Sequence, residues 1–135
     1  EENKHLIKDE VILKRIKHVI YEDERVLESV EALKCGDIAK FGQLMNQSHD
    51  SLQYDYEVTG DELDIMVEEA RKIKGVVGSR MTGGGFGGCT VSIVDDGSVD
   101  EFIKTVGANY EKRTGITPEF YVSEIGDGGH EVTDF

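Results

Sequence analysis

Cysteine is scarce in this chain: Cys35 and Cys89 are the only two among 135 residues. That is too few for a disulfide framework, and each thiol reads as a small buried hydrophobe in a cytoplasmic protein. Positive charge is scarce as well, with 15 Lys and Arg against 28 Asp and Glu, a net charge of −13. A nucleic acid or an anionic lipid surface would be repelled, so neither is expected as a partner. Long apolar runs are missing, which excludes a membrane-spanning helix, and no signal-peptide pattern opens the chain. The four histidines, His5, His18, His49 and His130, are scattered. None pairs with another at ligand spacing, so no metal site is expected. Proline occurs once. The first residue is Glu1 rather than Met, which suggests processing or excision from something longer.

What is present fits one soluble domain large enough to bury a core. Residues 1–8 are polar and expected to be loose, 9–126 form the domain, and 127–135 are a polar tail. From Asp9 the apolar residues Ile12, Ile16, Val19, Ile20, Leu27, Val30 and Leu33 recur at helical steps. Lys34-Cys35-Gly36 closes that helix, and Asp37 starts a second one with Ile38, Phe41, Met45, Ser48 and Leu52 on its stripe. The short connection predicts an antiparallel helical hairpin. Tyr54–Gly60 is a link without helical period. A capping box of Thr59 and Glu62 opens a third helix that turns Leu63, Met66, Val67, Ala70 and Ile73 inward.

After Gly75 the period changes. Val76–Thr82 and Cys89–Val94 read as strands joined by a glycine-rich loop. Ser98 and Glu101 make a second capping box, whose helix buries Val99, Phe102, Ile103, Val106 and Tyr110 and stops at Gly115. Phe120–Ile125 reads as a last strand. The order predicts an α+β two-layer sandwich of helices on a mainly antiparallel sheet.

The loop is the most informative feature: Gly83 to Gly88 holds five glycines, interrupted only by Phe86. Gly83, Gly85 and Gly88 satisfy G-x-G-x-x-G, but a strand follows, so no helix N-terminus is available to hold a pyrophosphate. The Lys and Ser/Thr of a Walker loop and the signatures of protein kinases are missing. Two readings remain. The loop lets backbones pack closely, or it forms a backbone nest near an anion, with Ser79, Arg80 and Thr82 adding polar contacts. Arg80 either supplies charge there or pairs with one of the many carboxylates. The cluster Glu22-Asp23-Glu24 reads as a solvated helix face, and His18 and His49 as hydrogen-bonding residues. Tyr54 and Tyr56 either stack on a sugar or anchor the link.

The stretch Gly78-Ser-Arg-Met-Thr-Gly-Gly-Gly-Phe-Gly-Gly-Cys89 resembles the third signature motif of galactokinases, in the GHMP small-molecule kinase family. Ser48-His-Asp-Ser-Leu52, Asp55-Tyr-Glu-Val-Thr59, Arg15-x-x-His18-Val19-x-x-Glu22 and Gly36-Asp37-x-x-x-Phe41-Gly42-x-Leu44-Met45 are similar to that family too. The resemblance covers roughly residues 10 to 126. It implies a ferredoxin-like GHMP kinase C-terminal domain, from a two-domain enzyme that moves the γ-phosphoryl of ATP to the 1-hydroxyl of galactose with Mg²⁺. It also implies that the sugar motif, the phosphate loop, the catalytic aspartate and the metal ligands lie in a missing N-terminal domain. No catalytic or metal-binding residue is then expected here, and the piece alone would be inactive. Ser79, Arg80, Thr82, Gly83, Gly84, Gly85, Gly87 and Gly88 would shape the cleft near the ATP phosphates. The face towards the absent domain would expose apolar surface, so the chain is expected to self-associate. A sensor that binds galactose and ATP without turnover, or a small-molecule regulatory domain, is the alternative.

Overall fold

The computed structural model describes residues 4–126, 129 and 131. The tail expected over 127–135 otherwise lies outside the described residues, and Lys4–Leu6 form a short 3-10 turn within the segment expected to be loose. Helices α1 (Glu10–Lys34), α2 (Ile38–Ser51) and α3 (Asp61–Arg71) precede strands β1 (Val76–Thr82) and β2 (Cys89–Val94), and α4 (Val99–Thr114) follows. The strands pair antiparallel, with Ser79 opposite Ser92 and Met81 opposite Thr90. The fold is α+β.

Local chemistry accounts for most boundaries. Asp9 caps α1 by accepting from the Val11 and Ile12 amides, and Asp37 caps α2 by accepting from Lys40. Gly115 ends α4 in the left-handed region that favours glycine. Both expected capping boxes are absent. The residue before α3 is Gly60, not Thr59. Thr59 is buried, and its carbonyl accepts from the Phe86 amide at 2.9 Å. Ser98 leaves a 3-10 turn and makes no side-chain cap. The link after α2 also differs: Leu52–Tyr56 continue as a π-helical turn, which Glu57 ends with φ +60°.

The core lies between α3, α4 and one face of the sheet. Ala70, Ile73, Phe102 and Val106 are buried there, with Met66, Val76, Val94, Ile103 and Phe120 packed around them. Of the inward residues expected of α3 and α4, Met66, Ala70, Ile73, Phe102, Ile103 and Val106 belong to that core, Leu63, Val67 and Tyr110 are buried as well, and Val99 is only half-buried. The last expected strand does not form. Phe120 turns back against Phe102, ring centroids 6.0 Å apart, and Tyr121, Val122 and Ile125 beyond it are exposed. Both cysteines are exposed rather than buried.

Helix α1 is turned opposite to its pattern. It packs on α2 and the π-helical turn, burying only His18 and Ala32. The apolar stripe faces away: Val19 is 60% exposed and Leu27 64%. Among the described residues nothing covers it.

Candidate glycine-loop site

Two glycines set the platform. Gly42 of α2 and Gly78 of β1 meet where the helix crosses the strand. A Cβ on Gly42 would collide with the Val77 carbonyl, and one on Gly78 would meet the Gly42 backbone. Helix α2 therefore lies along the edge of β1, closer than side chains allow.

The loop itself is held from behind. A Cβ on Gly85 would collide with the Val58 carbonyl, and one on Gly88 with the Gly84 carbonyl. Gly83 and Gly87 take positive φ, as does Phe86 at +56°. A phenylalanine in that region is strained. Its amide is tied to Thr59, while its ring is 78% exposed. By contrast, the Cβ directions of Gly83, Gly84 and Gly87 meet nothing within 4 Å. The loop thus has a packed back at Gly85, a turn closed on itself at Gly88, and an open front (Gly83, Gly84, Gly87).

The backing segment is latched to α1. Arg15 donates to the Asp55 carbonyl at 2.6 Å and to Glu57 Oε2 at 2.7 Å, and Lys14 reaches Glu57 Oε1 at 3.2 Å. Arg15 and Lys14 hold the Glu57 carboxyl below its ordinary value. Lys17 pairs with Asp55. His18 stacks on Tyr56 with centroids 4.7 Å apart, and its Nδ1 lies 3.0 Å from Ser51 Oγ. Tyr56 is therefore an anchor for the link.

The expected site residues fall into two groups. Ser79 is fully buried, and its hydroxyl is engaged with Ser92 at 2.8 Å. Arg80 donates through Nε to the Met81 carbonyl, and its Nη1 lies 3.5 Å from Glu22 Oε1. Thr82, Gly83, Gly84, Gly87 and Gly88 are exposed, and Gly85 is half-buried. Arg80 and Thr82 also line a groove of about 530 Å³ with Glu22, Arg25, Val30 and Val91.

Glu22 departs from the solvated helix face expected of it. Its carboxylate accepts from the Ser48 hydroxyl and from Arg25 Nε. Burial pushes its carboxyl up, but Ser48, Arg25 and Arg80 together hold it below its ordinary value. Among the described residues no group of three or more His, Cys, Asp or Glu is arranged to hold a metal ion.

Residues 29–112, more than half of the chain, match the family model described as GHMP kinases C terminal. The chain belongs to that family. It is 58% identical over 132 residues to a protein named galactokinase from Fusobacterium nucleatum, covering 98% of this chain and 34% of the relative. It is 52% identical to a galactokinase of Clostridium acetobutylicum, with the same coverage. The crystal structure of Lactococcus lactis galactokinase complexed with galactose superposes with a TM-score of 0.89 at 48% identity, over 94% of this chain and 33% of that one. This GHMP kinase C-terminal chain thus spans about a third of the length of the curated relatives it matches.

The sequence reading missed Asn46, Arg71 and the contact of Gly42 with Gly78. A glycine inside the α2 pattern was the available signal for close approach. Nothing in the spacing marked Asn46 or Arg71.

Proposed function

We propose that this chain is the C-terminal part of a galactokinase, which transfers the γ-phosphoryl of ATP to the 1-hydroxyl of galactose with Mg²⁺. The Gly83–Gly88 loop forms one wall of the cleft, against an N-terminal domain that supplies the reacting groups. The observation that carries this reading is the two-sided loop. Its back is tied to Val58 and Thr59 while its front is bare glycine backbone. The names of relatives 58% and 52% identical support the substrate.

Phosphoryl transfer depends on positioning and on charge compensation at the transferred group. In this reading Gly83, Gly84 and Gly87 let the loop approach the phosphates, and Gly85 and Gly88 fix its shape. Ser79 acts through the strand by locking β1 to β2, and Thr82 offers an exposed hydroxyl at the cleft rim. Arg80, held by Glu22, braces the strand and places a cation on a chain that otherwise repels ATP. Mg²⁺ would neutralise phosphate charge, held by residues outside this chain. The exposed stripe of α1 is assigned to contact with the rest of the polypeptide.

The test is phosphoryl transfer from ATP to galactose by the longer polypeptide containing these residues, and by this chain alone. Turnover in the first and none in the second is expected. Binding of galactose and ATP without turnover by the longer polypeptide would favour a sensor. Turnover by this chain alone would overturn the assignment of a wall.

A further inference from the structure

Strand β1 has a neighbouring strand on one side only among the described residues, yet its other edge is not bare. Ser79 donates its amide to Asn46 Oδ1 at 2.9 Å, and Met81 donates its amide to His49 Nδ1 at 3.1 Å. Asn46 and His49 stand one turn apart on α2, and Ser79 and Met81 are alternate residues of β1. Two side chains thus take the place of a strand along the stretch that runs directly into Thr82 and Gly83.

The arrangement is fixed on both sides. Arg71 donates through Nε to Asn46 Oδ1 at 2.9 Å, and through Nη2 to the carbonyls of Asn46 at 2.8 Å and Ser79 at 3.2 Å. Its Nη1 reaches Asp50 at 2.7 Å. Asn46 Oδ1 therefore receives two donors, which settles the orientation of its amide. His49 is 2% exposed. Its Nε2 lies 3.2 Å from Asp64 Oδ1, and Gln53 donates to the other Asp64 oxygen at 2.8 Å. Nδ1 accepts from Met81, so the ring proton sits on Nε2, facing Asp64.

We propose that Asn46 and His49 are positioning residues of the kinase site, which hold β1 so that Arg80 and the glycine loop stand in working register, and that protonation of His49 at Nδ1 releases that hold. The assignment rests on the kinase reading above. A protonated Nδ1 is a donor facing a donor, and the buried Met81 amide then loses its partner. The charged groups around the ring are Arg71 and Asp64 from α3 and Asp50 from α2 itself. Burial first, then Arg71, hold the imidazole below its ordinary value against the pull of Asp64 and Asp50. The hold is therefore intact at neutral pH and fails on acidification.

Two variants test this in the longer polypeptide. His49→Asn keeps an acceptor near the Nδ1 position but cannot titrate. His49→Leu removes the acceptor. Hydrogen exchange at the Met81 amide, corrected for intrinsic rate, reads the hold without reference to catalysis. In the parent protein, protection should fall progressively as pH drops below the ordinary imidazole value of about 6.5, by up to roughly tenfold per pH unit. It should be flat with pH in His49→Asn and lost throughout in His49→Leu. In galactose phosphorylation, His49→Leu should lower kcat about tenfold or more with KM for galactose within about twofold, and His49→Asn should restore kcat and flatten the acid limb. Parent-like Met81 protection in His49→Leu, or unchanged kcat despite lost protection, would overturn the proposal. If His49→Leu does not fold, an acid limb of kcat and exchange that persists in His49→Asn overturns it equally. A parent polypeptide without any turnover would instead sink the kinase reading, which the exchange data distinguish.

Discussion

Gly42 and Gly78 touch through their backbones, so that α2 rests on the edge of β1 with no side chain between them. The contact lies at the head of the strand that leads to the glycine loop. Gly42→Ala, and separately Gly78→Ala, should destabilise the chain by about 1–3 kcal/mol, since only a displacement of α2 from β1 makes room for a methyl group. Chemical denaturation checks this. The double variant should cost less than the two single costs combined, because one displacement relieves both.

The two sides of the loop respond differently to added bulk. Gly84→Val points into open space, so the unfolding midpoint should hold while turnover of the longer polypeptide falls roughly tenfold or more. Gly85→Ala drives a methyl at the Val58 carbonyl and should lift the loop from its backing. Faster exchange at the Phe86 amide would register that. Full turnover in Gly84→Val would remove the open glycines from the cleft.

Acid sensitivity has two separate windows. Burial holds the imidazoles of His18 and His49 below their ordinary value. The folded chain therefore binds fewer protons than the unfolded one just below about pH 6.5, so stability rises with pH there and is lost as pH drops. His18→Gln should flatten its share of that slope. Glu22 acts lower down. Its carboxyl is depressed, so its contribution is complete above about pH 4.5 and is lost as pH falls through the folded-state value. Stability measured across pH 3 to 8, roughly the range spanned by these groups, resolves both.

Glu22 is the node between α1, α2 and β1. Glu22→Gln should cost about 1–3 kcal/mol, by loosening the bonds to Ser48 and Arg25 and the approach of Arg80. Ser48→Ala should cost less, because the two arginines remain. Thermal unfolding of both variants orders the effects.

The uncovered stripe of α1 should drive association of the isolated chain. Sedimentation at rising concentration should show species beyond the monomer, and Val19→Lys with Leu27→Lys should suppress them. A strict monomer at all concentrations would remove the stripe as a contact surface.

Much of this was legible in the sequence because local periodicity and caps carry it. The four helices, the two strands and the stops at Gly36 and Gly115 follow from residue pattern, whereas α3 ends at Arg71, short of the stop at Gly75 that the pattern offered. The glycine run announced itself by composition. What pattern does not encode is which way a helix turns. The apolar face of α1 was readable, but its orientation is set by Arg15, His18 and Glu22, whose partners are distant in sequence. The same reason hid Asn46 and Arg71. Phe120–Ile125 failed as a strand although it is rich in β-branched and aromatic residues, because composition says nothing of whether a ladder partner exists.

The side-chain covering of β1 also gives the sheet a direction of growth. With Ser79 and Met81 committed to α2, the opposing residues Ser92 and Thr90 must point their main-chain groups outward from β2. An additional strand, whether from a longer polypeptide or from a neighbouring molecule, can therefore enlist only at β2. Accretion from the α2 flank is closed off by an amide and an imidazole.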